Sequence, residues 1–266
     1  MRAQNVVVDI GDVPIALRTS DRPLVEMLER RFGRFLTPSA EPAFAFDVTV
    51  VAAADPEQNA DADLRVTQDE GRWQIARGDF SAQWNTVSRL GWIRQPRNPY
   101  SVDTLLRIVH TVILSREGGF LLHASSAIRN GRAFLFTGPS GAGKTTIARL
   151  APADATVLTD EISYVRRGPE GFVAFGTPFA GEWGDAGVPA RAPIAAFFSL
   201  GHSGTTTRTP LAKAAAVRTL MRNILFFAED PALTECVFDT ACDFAARVDG
   251  FHLAFAPDTG AWGAIT

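Results

Sequence analysis

The segment FLFTGPSGAGKTT, residues 134–146, constrains the fold of this chain more than any other stretch. It places an apolar strand before a glycine-rich turn and an apolar helix start after that turn, the context in which phosphate-binding loops occur. The turn fits the pattern G-x-x-x-x-G-K-[ST], and its two fixed glycines are Gly138 and Gly143. The segment therefore predicts a strand, an anion-binding loop and a helix in direct succession.

The residue types of this loop have a physical explanation. A triphosphate needs several hydrogen-bond donors within a small volume, and glycines let the backbone curl so that its N–H groups point inward. The helix that follows would direct its N–H groups and dipole at the same anion. We expect Lys144 to reach the outer phosphates and the Thr145 hydroxyl to bind Mg²⁺. The residues expected to contact the nucleotide are Gly138, Pro139, Ser140, Gly141, Ala142, Gly143, Lys144, Thr145 and Thr146.

Lysine is rare in this chain, which makes its position in the loop informative. The sequence contains 24 arginines but only two lysines, Lys144 and Lys213. One of the two falls where the pattern demands lysine, so coincidence explains it poorly. A glycine-rich turn without a ligand is the alternative interpretation.

The composition favours a cytoplasmic enzyme. The chain has 266 residues and 46% hydrophobic content, enough for one large domain or two ordinary ones. Its formal net charge of −3 argues against a nucleic-acid-binding protein, which needs a basic excess. No apolar run resembles a signal peptide or reaches the roughly 18 residues of a membrane span. We expect no nucleic-acid or membrane partner, and the sequence leaves the oligomeric state open.

The hydrophobic patterns divide the chain into a smaller strand-rich domain over residues 1–98 and a nucleotide-binding domain over 99–266. In the first domain they predict a hairpin over 6–18, a helix over 24–35 and short strands up to residue 84. No clustered histidines or paired carboxylates indicate chemistry there. We expect this domain to recognise a substrate or to support the other one.

Two prolines mark residues 94–100 as the linker, after which Ser101 would cap a helix. Farther along, the turn at Asn130-Gly131 would join the two strands that lead to the loop. Helices are predicted over 210–227 and 231–248. The whole pattern is typical of an α/β (α+β) protein.

Two acids, Asp160 and Glu161, end the apolar strand that follows the loop. In nucleotide-binding folds, a carboxylate at the carboxyl end of a neighbouring strand faces the phosphates, where it holds Mg²⁺ or accepts a proton. Asp160 is our first candidate, and Glu161, which strand alternation points the other way, is the second. Alternatively, both acids simply end a strand at the surface.

Four segments, in chain order, carry a resemblance to a known family: LLHASSAI, GRAFLFTGPSGAGKTT, VLTDEISYV and GTPFAGEWG. Together they look like the kinase domain of HPr kinase/phosphorylase and its smaller relatives, which share a nucleotide-binding core with phosphoenolpyruvate carboxykinases. The likeness covers about residues 105–265. It implies a PEP-carboxykinase-like P-loop domain that uses ATP and Mg²⁺. It also implies transfer of the γ-phosphoryl group to a serine, either of HPr or, in homologues found beside lasso-peptide genes, of a peptide.

By this resemblance, His123 corresponds to the histidine that precedes the phosphate loop, and Asp160 to one of two acids that include the general base. Glu182 corresponds to an acid that helps to hold magnesium, so that Thr145, Asp160 and Glu182 would form the metal site. A satisfied core histidine is the alternative for His123. The other histidines have no partners at metal-ligand spacing and are expected to be structural: His110, His202 and His252.

The chain also departs from the family. HPr kinases have two aspartates where this chain has Asp160-Glu161, so either acid can be the base. Their Arg-Gly-Leu-Gly segment, which is linked to phosphorolysis, is replaced here by Trp-Gly-Asp at 183–185, so we expect neither phosphorylase activity nor HPr as the acceptor. The glycines and prolines of residues 176–189 predict an irregular segment, either a lid over the phosphates or a plain surface loop.

Two functions are compatible with the sequence. One is a kinase that phosphorylates a serine of a protein or peptide, and the other is a regulator or scaffold that binds nucleotide without transferring phosphate. The joint presence of Lys144, Thr145 and Asp160 favours the kinase, because a scaffold does not need all three. ATP, GTP and pyrophosphate all remain possible donors.

Overall fold

The structure is a computed structural model, and it describes residues 3–53, 63–179, 181 and 187–265. The described residues form a mixed α/β protein with two β-sheets and five α-helices. They group into two compact units, of which the first is Met1–Val109 with Phe227–Pro231 and the second is His110–Phe226 with Ala232–Thr266. None of the described helices is long and apolar enough to cross a membrane.

The first unit is built on a seven-stranded sheet with the strand order β1-β2-β3-β7-β6-β5-β4. The pairs β2–β3 and β3–β7 are parallel, and the other neighbours are antiparallel. The predicted hairpin is confirmed as β1 and β2. The strands are β1 (Gln4–Asp9), β2 (Pro14–Thr19), β3 (Phe44–Val50), β4 (Arg65–Asp69), β5 (Arg72–Arg77), β6 (Phe80–Asn85) and β7 (Leu90–Gln95).

The predicted helix over 24–35 is confirmed as α1 (Arg22–Phe32), followed by the 3₁₀ turn Gly33–Phe35. Asp21 caps it, because its carboxylate accepts a hydrogen bond from the Leu24 amide at 2.9 Å. The loop predicted over 52–62 lies largely outside the described residues.

The linker predicted over 94–100 is shorter in the structure. Strand β7 continues through Gln95, and helix α2 (Pro99–Glu117) begins at the second proline. Proline suits the first helical position because its missing N–H would have no partner there. The predicted cap at Ser101 is wrong: Asn98 accepts a hydrogen bond from the Tyr100 amide at 2.9 Å and takes the capping place.

The second unit contains nine paired strands and the remaining helices. Its strands are β8 (Gly119–Arg129), β9 (Arg132–Thr137), β10 (Thr156–Thr159), β11 (Ile162–Gly168), β12 (Gly171–Phe175), β13 (Arg191–His202), β14 (Thr207–Pro210), β15 (Ile224–Leu225) and β16 (Asp249–Phe255). Its helices, apart from the end of α2, are α3 (Lys144–Arg149), α4 (Lys213–Asn223), α5 (Pro231–Arg247) and the 3₁₀ helix Thr259–Ala264.

Strand β8 is the centre of this unit because it pairs with four other strands. One side carries β10 and β11, and the other carries β9 and β15. Strands β8, β11, β12, β13 and β9 pair in a closed ring. The predicted turn between β8 and β9 is confirmed, since Asn130 and Gly131 have the positive φ angles of 52° and 72° that a tight hairpin turn needs.

Both faces of the strand β9 are buried, which explains its uninterrupted apolar sequence. Ala133 and Leu135 belong to one core cluster, together with residues of α4 and α5. Phe134 and Phe136 belong to a second cluster on the opposite face, which includes Ile147 of α3 and Trp262. The indole N–H of Trp262 donates to the Ile147 carbonyl at 3.0 Å and so ties α3 to this core.

The helix predicted over 210–227 is shorter at both ends. Residues up to Pro210 form β14, and Ile224–Leu225 form β15, which pairs with β8 instead of continuing the helix. The pairing with a central strand overrides the helical spacing of the apolar residues. The helix predicted over 231–248 is confirmed as α5.

Candidate functional site

Strands β10 and β11 follow one another along the same edge of β8, and both pair with it antiparallel. The pairing is interrupted between them. Thr159 pairs with Ser126 and Ile162 pairs with His123, so Asp160 and Glu161 lie beside the intervening residues of β8. A bulge-like register shift just before them releases both acids from regular pairing. The two acids therefore occupy the break in the strand.

The glycine-rich loop starts on the opposite side of the same part of β8. Thr137, the last residue of β9, pairs with Ala124, and its hydroxyl donates to the His123 carbonyl at 2.9 Å. The Ser125 hydroxyl donates to the Lys144 carbonyl at 2.9 Å. Since neighbouring strands lie about 4.8 Å apart, β8 holds the loop and the acids within about 10 Å of each other.

Glycine is required at two points of the loop. Gly143 has φ 99°, and a Cβ there would lie 2.8 Å from the Phe255 ring. Gly138 has φ 156°, and a Cβ there would lie 2.9 Å from the Ala142 methyl group. Any other residue at Gly143 would combine backbone strain with a clash, so the curl of the loop depends on it.

Lys144 is the first residue of α3, as the loop pattern predicts. Its ammonium group donates to the carbonyls of Gly138 and Pro139, at 3.0 and 3.1 Å, and the residue is only 8% exposed. These bonds satisfy a buried charge, which would otherwise be strongly unfavourable. They also hold the ammonium group at the inner wall of the loop.

Asp160 is buried, and its carboxylate accepts a hydrogen bond from the Gly181 amide at 3.1 Å. Gly181 lies so close that a Cβ there would be 2.9 Å from an Asp160 oxygen and 2.9 Å from the Glu161 Cβ. Glu161 is half-buried. The prediction that both acids simply end a strand at the surface is therefore wrong for Asp160.

A cavity of about 360 Å³ lies between the loop and the acids. It brings together all four residues predicted to be catalytic and most of those predicted to contact a nucleotide. Its lining residues are His123, Ser140, Gly141, Gly143, Lys144, Thr145, Thr146, Asp160, Glu161 and Gly181. Of the predicted loop contacts, Gly138, Pro139 and Ala142 do not line it.

His123 lies on β8 and is half-buried with its side chain in the cavity lining. Its place there does not fit a histidine enclosed in a hydrophobic core. By contrast, His110 of α2 is fully buried, and neither ring nitrogen has a hydrogen-bond partner among the described residues. Burial lowers the pKa of His110 to about 3, so this histidine is neutral.

His202 is a residue of the site that the sequence did not reveal. It lies at the end of β13, and its Nε2 is 2.7 Å from the Gly141 carbonyl oxygen. Its ring stacks on Phe255, the same ring that lies against Gly143. Because β13 and the loop are 61 residues apart along the chain, no spacing pattern could have linked them.

The segment predicted to be irregular over 176–189 has no helix or strand in its described part. Thr177 and Phe179 are fully buried, so that part is not a plain surface loop. Glu182, the third predicted metal ligand, lies outside the described residues, as does the Trp-Gly-Asp segment at 183–185.

Thr145 and Asp160 are the predicted metal ligands within the described residues. Among the described residues, no three His, Cys, Asp or Glu side chains are grouped to hold a metal ion by themselves. Thr145 and Asp160 nevertheless line one cavity, and Mg²⁺ in nucleotide sites commonly uses one or two protein oxygens together with phosphates and water. The residues present therefore fit a metal that arrives with a nucleotide.

The family model of the SynChlorMet cassette protein ScmC matches residues 100–265. The chain belongs to the ScmC family. The match takes in α2 from its second residue onward and all the residues that line the cavity, whereas the seven-stranded sheet of the first unit lies outside it. No match was found among curated proteins.

Proposed function

We propose that this ScmC-family chain is an ATP-dependent kinase that transfers the γ-phosphoryl group to a serine hydroxyl of a protein or peptide. The observation that carries the proposal is the single cavity in which Lys144 and Thr145 face Asp160 and Glu161. The sequence resemblance to HPr kinases supports ATP as the donor and serine as the acceptor.

The loop supplies the charge that a polyphosphate needs. Its glycines Gly138, Gly141 and Gly143 have positive φ angles, which allow backbone amides to curl around an anion, and the start of α3 adds the positive end of a helix dipole. Lys144 would exchange its bonds to the Gly138 and Pro139 carbonyls for bonds to phosphate oxygens. A charged partner makes stronger hydrogen bonds than a neutral carbonyl, which favours this exchange.

Thr145 and Asp160 would hold Mg²⁺, with Glu182 as a third ligand implied by the resemblance. When bound, Mg²⁺ would neutralise negative charge on the phosphate oxygens of the nucleotide. Catalysis then depends mainly on holding the reacting groups in line.

Asp160 is the proposed general base. The serine oxygen forms a bond to the γ-phosphorus, the bond from that phosphorus to the bridging oxygen breaks, and the serine proton passes to the carboxylate. The Gly181 amide donates to Oδ1 of Asp160 and so holds the carboxylate in the wall of the cavity. Glu161 is the alternative base, and His123 would contact the γ-phosphoryl group or orient the acid.

The test is calorimetry with ATP and Mg²⁺, followed by transfer of label from ATP to serine-containing peptides encoded near the gene. We expect micromolar uptake of nucleotide and transfer that stops with EDTA. Well-folded protein that takes up no nucleotide would refute the proposal. Uptake with no transfer to any of these peptides would instead identify a nucleotide-binding regulator.

A further inference from the structure

The open face of the first unit's sheet carries a groove of about 320 Å³. Directly paired residues of neighbouring strands lie on the same face of a sheet, so the strand register shows which residues belong to this face. One row crosses the sheet from β4 to β7 and contains Arg65, Ala76, Ser81 and Arg94. The neighbouring row contains Thr67, Gln74, Gln83 and Trp92.

The first row has a cation at each end and small residues between them. Arg65 on β4 and Arg94 on β7 are exposed, while Ala76 and Ser81 form a low floor. Among the described residues, neither arginine forms an ion pair. The two arginines are therefore available to an anionic partner.

The acids of this face are already opposed by other arginines. On strands β3 to β7 the face carries Asp47 and Asp69. Asp69 lies directly opposite Arg72, and Asp47 lies opposite Arg18 of β2. With Arg18, Arg65, Arg72 and Arg94 against Asp47 and Asp69, the face from β2 across to β4 carries two more arginines than acids.

Three strand spacings separate Arg65 from Arg94, which is about 14 Å. A single carboxylate or phosphate cannot bridge that distance. An extended peptide rises about 3.3 Å per residue, and residues four apart point to the same side, so two acids at i and i+4 span about 13 Å. The spacing of the arginines therefore matches an acidic extended peptide that crosses the strands.

The second row supplies the other contacts that a peptide needs. Trp92 is 43% exposed and lies two residues from Arg94 on β7, next to the exposed Leu90. Gln74 and Gln83 each present an amide that can donate to and accept from a peptide backbone. Trp92 is the one aromatic side chain among the described residues that line the groove, whereas single-stranded nucleic acids usually stack on several.

We propose that this face binds an extended peptide segment with two acidic side chains four residues apart, which pair with Arg65 and Arg94 while an apolar neighbour packs on Trp92. We assign this segment to the protein or peptide that accepts the phosphate, and this assignment rests on the proposed function. The binding itself does not, because it needs neither nucleotide nor the loop.

The test starts with a displayed library of random 12-residue peptides, selected on the full chain without nucleotide. We expect enrichment of sequences with acids at i and i+4 and an apolar residue beside them. The same selection on Arg65→Gln/Arg94→Gln should lose this pattern. A matched control, Arg30→Gln/Arg34→Gln, removes two exposed arginines of α1 and its adjoining 3₁₀ turn and should keep it.

The best enriched peptide is then synthesised and its affinity measured by fluorescence anisotropy. Loss of two exposed ion pairs predicts a Kd about three- to tenfold weaker for the double variant, and Trp92→Ala predicts a loss of about tenfold or more. Thermal unfolding of each variant shows whether it remains folded.

Three results would overturn the inference: no enrichment, enrichment without acids, or the same enriched pattern on the double variant. A 12-nucleotide oligouridine that binds more tightly than the peptide and depends on Trp92 would also overturn it, in favour of a nucleic-acid surface. Peptide binding without phosphoryl transfer would refute the proposed function alone, and transfer without peptide binding here would refute this inference alone.

Discussion

The two sheets of this protein differ in where their pairing is interrupted. In the first unit, the strands β3, β7, β6, β5 and β4 lie side by side and pair without a break in register. They form a regular face with polar side chains. In the second unit, the partner of β8 breaks at Asp160-Glu161, directly across from the loop. The acids and the loop converge on a cavity where pairing stops, whereas continuous pairing produces a regular surface.

The strongest test of this contrast is Asp160→Asn. The substitution keeps the shape of the side chain and its bond from Gly181 but removes the base, so phosphoryl transfer should fall by roughly 10²–10⁴-fold. Because Asp160 is also a proposed Mg²⁺ ligand, nucleotide affinity measured by calorimetry with Mg²⁺ should fall too, but by less than transfer does. Asp69→Asn, a matched change in the regular sheet, should leave transfer unaltered.

If phosphoryl transfer survives Asp160→Asn, the strand break does not serve to place Asp160 as the general base. In that case Glu161→Gln decides whether the second acid is the base. If both variants remain active, the contrast between the two sheets has no catalytic meaning.

Lys144→Ala should have the next largest effect. Removing the ammonium group takes away a charge aimed at the phosphates, so transfer should fall by about 10²–10³-fold and nucleotide affinity at least tenfold. The chain provides its own control, since Lys213→Ala removes the only other lysine, an exposed residue at the start of α4. Equal nucleotide affinity in the two variants would contradict the loop's proposed function.

His110→Leu tests the core of the second unit through its pH dependence. The folded pKa of about 3 is lower than the ordinary value near 6.5, so below pH 6.5 the unfolded chain binds a proton that the folded chain does not. The free energy of unfolding therefore falls with decreasing pH, and this histidine lowers it by about 2 kcal/mol between pH 7 and pH 5. Leucine has no such dependence and leaves no ring nitrogen buried.

Urea unfolding of both proteins at pH 7 and pH 5 measures this difference. The wild type should lose about 2 kcal/mol more than the variant over that interval. Carboxylates titrate in both proteins, so their contribution cancels in the comparison. Parallel losses would show that His110 becomes protonated in the folded state.

The smallest predicted effect concerns His202→Phe. Phenylalanine keeps a ring beside Phe255 but cannot bond to the Gly141 carbonyl, so the loop loses one positioning contact. A single hydrogen bond contributes about 0.5–1.5 kcal/mol, which corresponds to a two- to twelvefold weaker nucleotide affinity. Calorimetry should show this loss with unchanged thermal stability, and a change in stability alone would make His202 a structural residue.

Local signals explain why the sequence predicted so much of the second unit's site. The hairpin turn at Asn130-Gly131, the strand β9 and the start of α3 at Lys144 each depend on a few adjacent residues. Buried strands and positive-φ turns have direct composition signatures, so these elements were predicted almost to the residue. The placement of Asp160 followed from the same kind of reasoning.

Distant pairing explains what the sequence did not predict. Strand β7 was not predicted because its sequence LGWIRQ has no clear alternation of polar and apolar residues, and its neighbours β3 and β6 are identified only by the fold. The end of α4 at Asn223 depends on β8, and the contact of His202 with the loop depends on β13. None of these partners is visible in a local window of sequence.

The central position of β8 also has a consequence for how this unit opens. Because the same strand supports the loop on one edge and the acids on the other, neither can unfold locally without disturbing the pairing of both. Amide hydrogens of β8, β9 and β11 should consequently exchange with solvent deuterium at a common slow rate, as one cooperative block. A substitution that disrupts the pairing of β8 should therefore disturb the loop and the two acids at the same time.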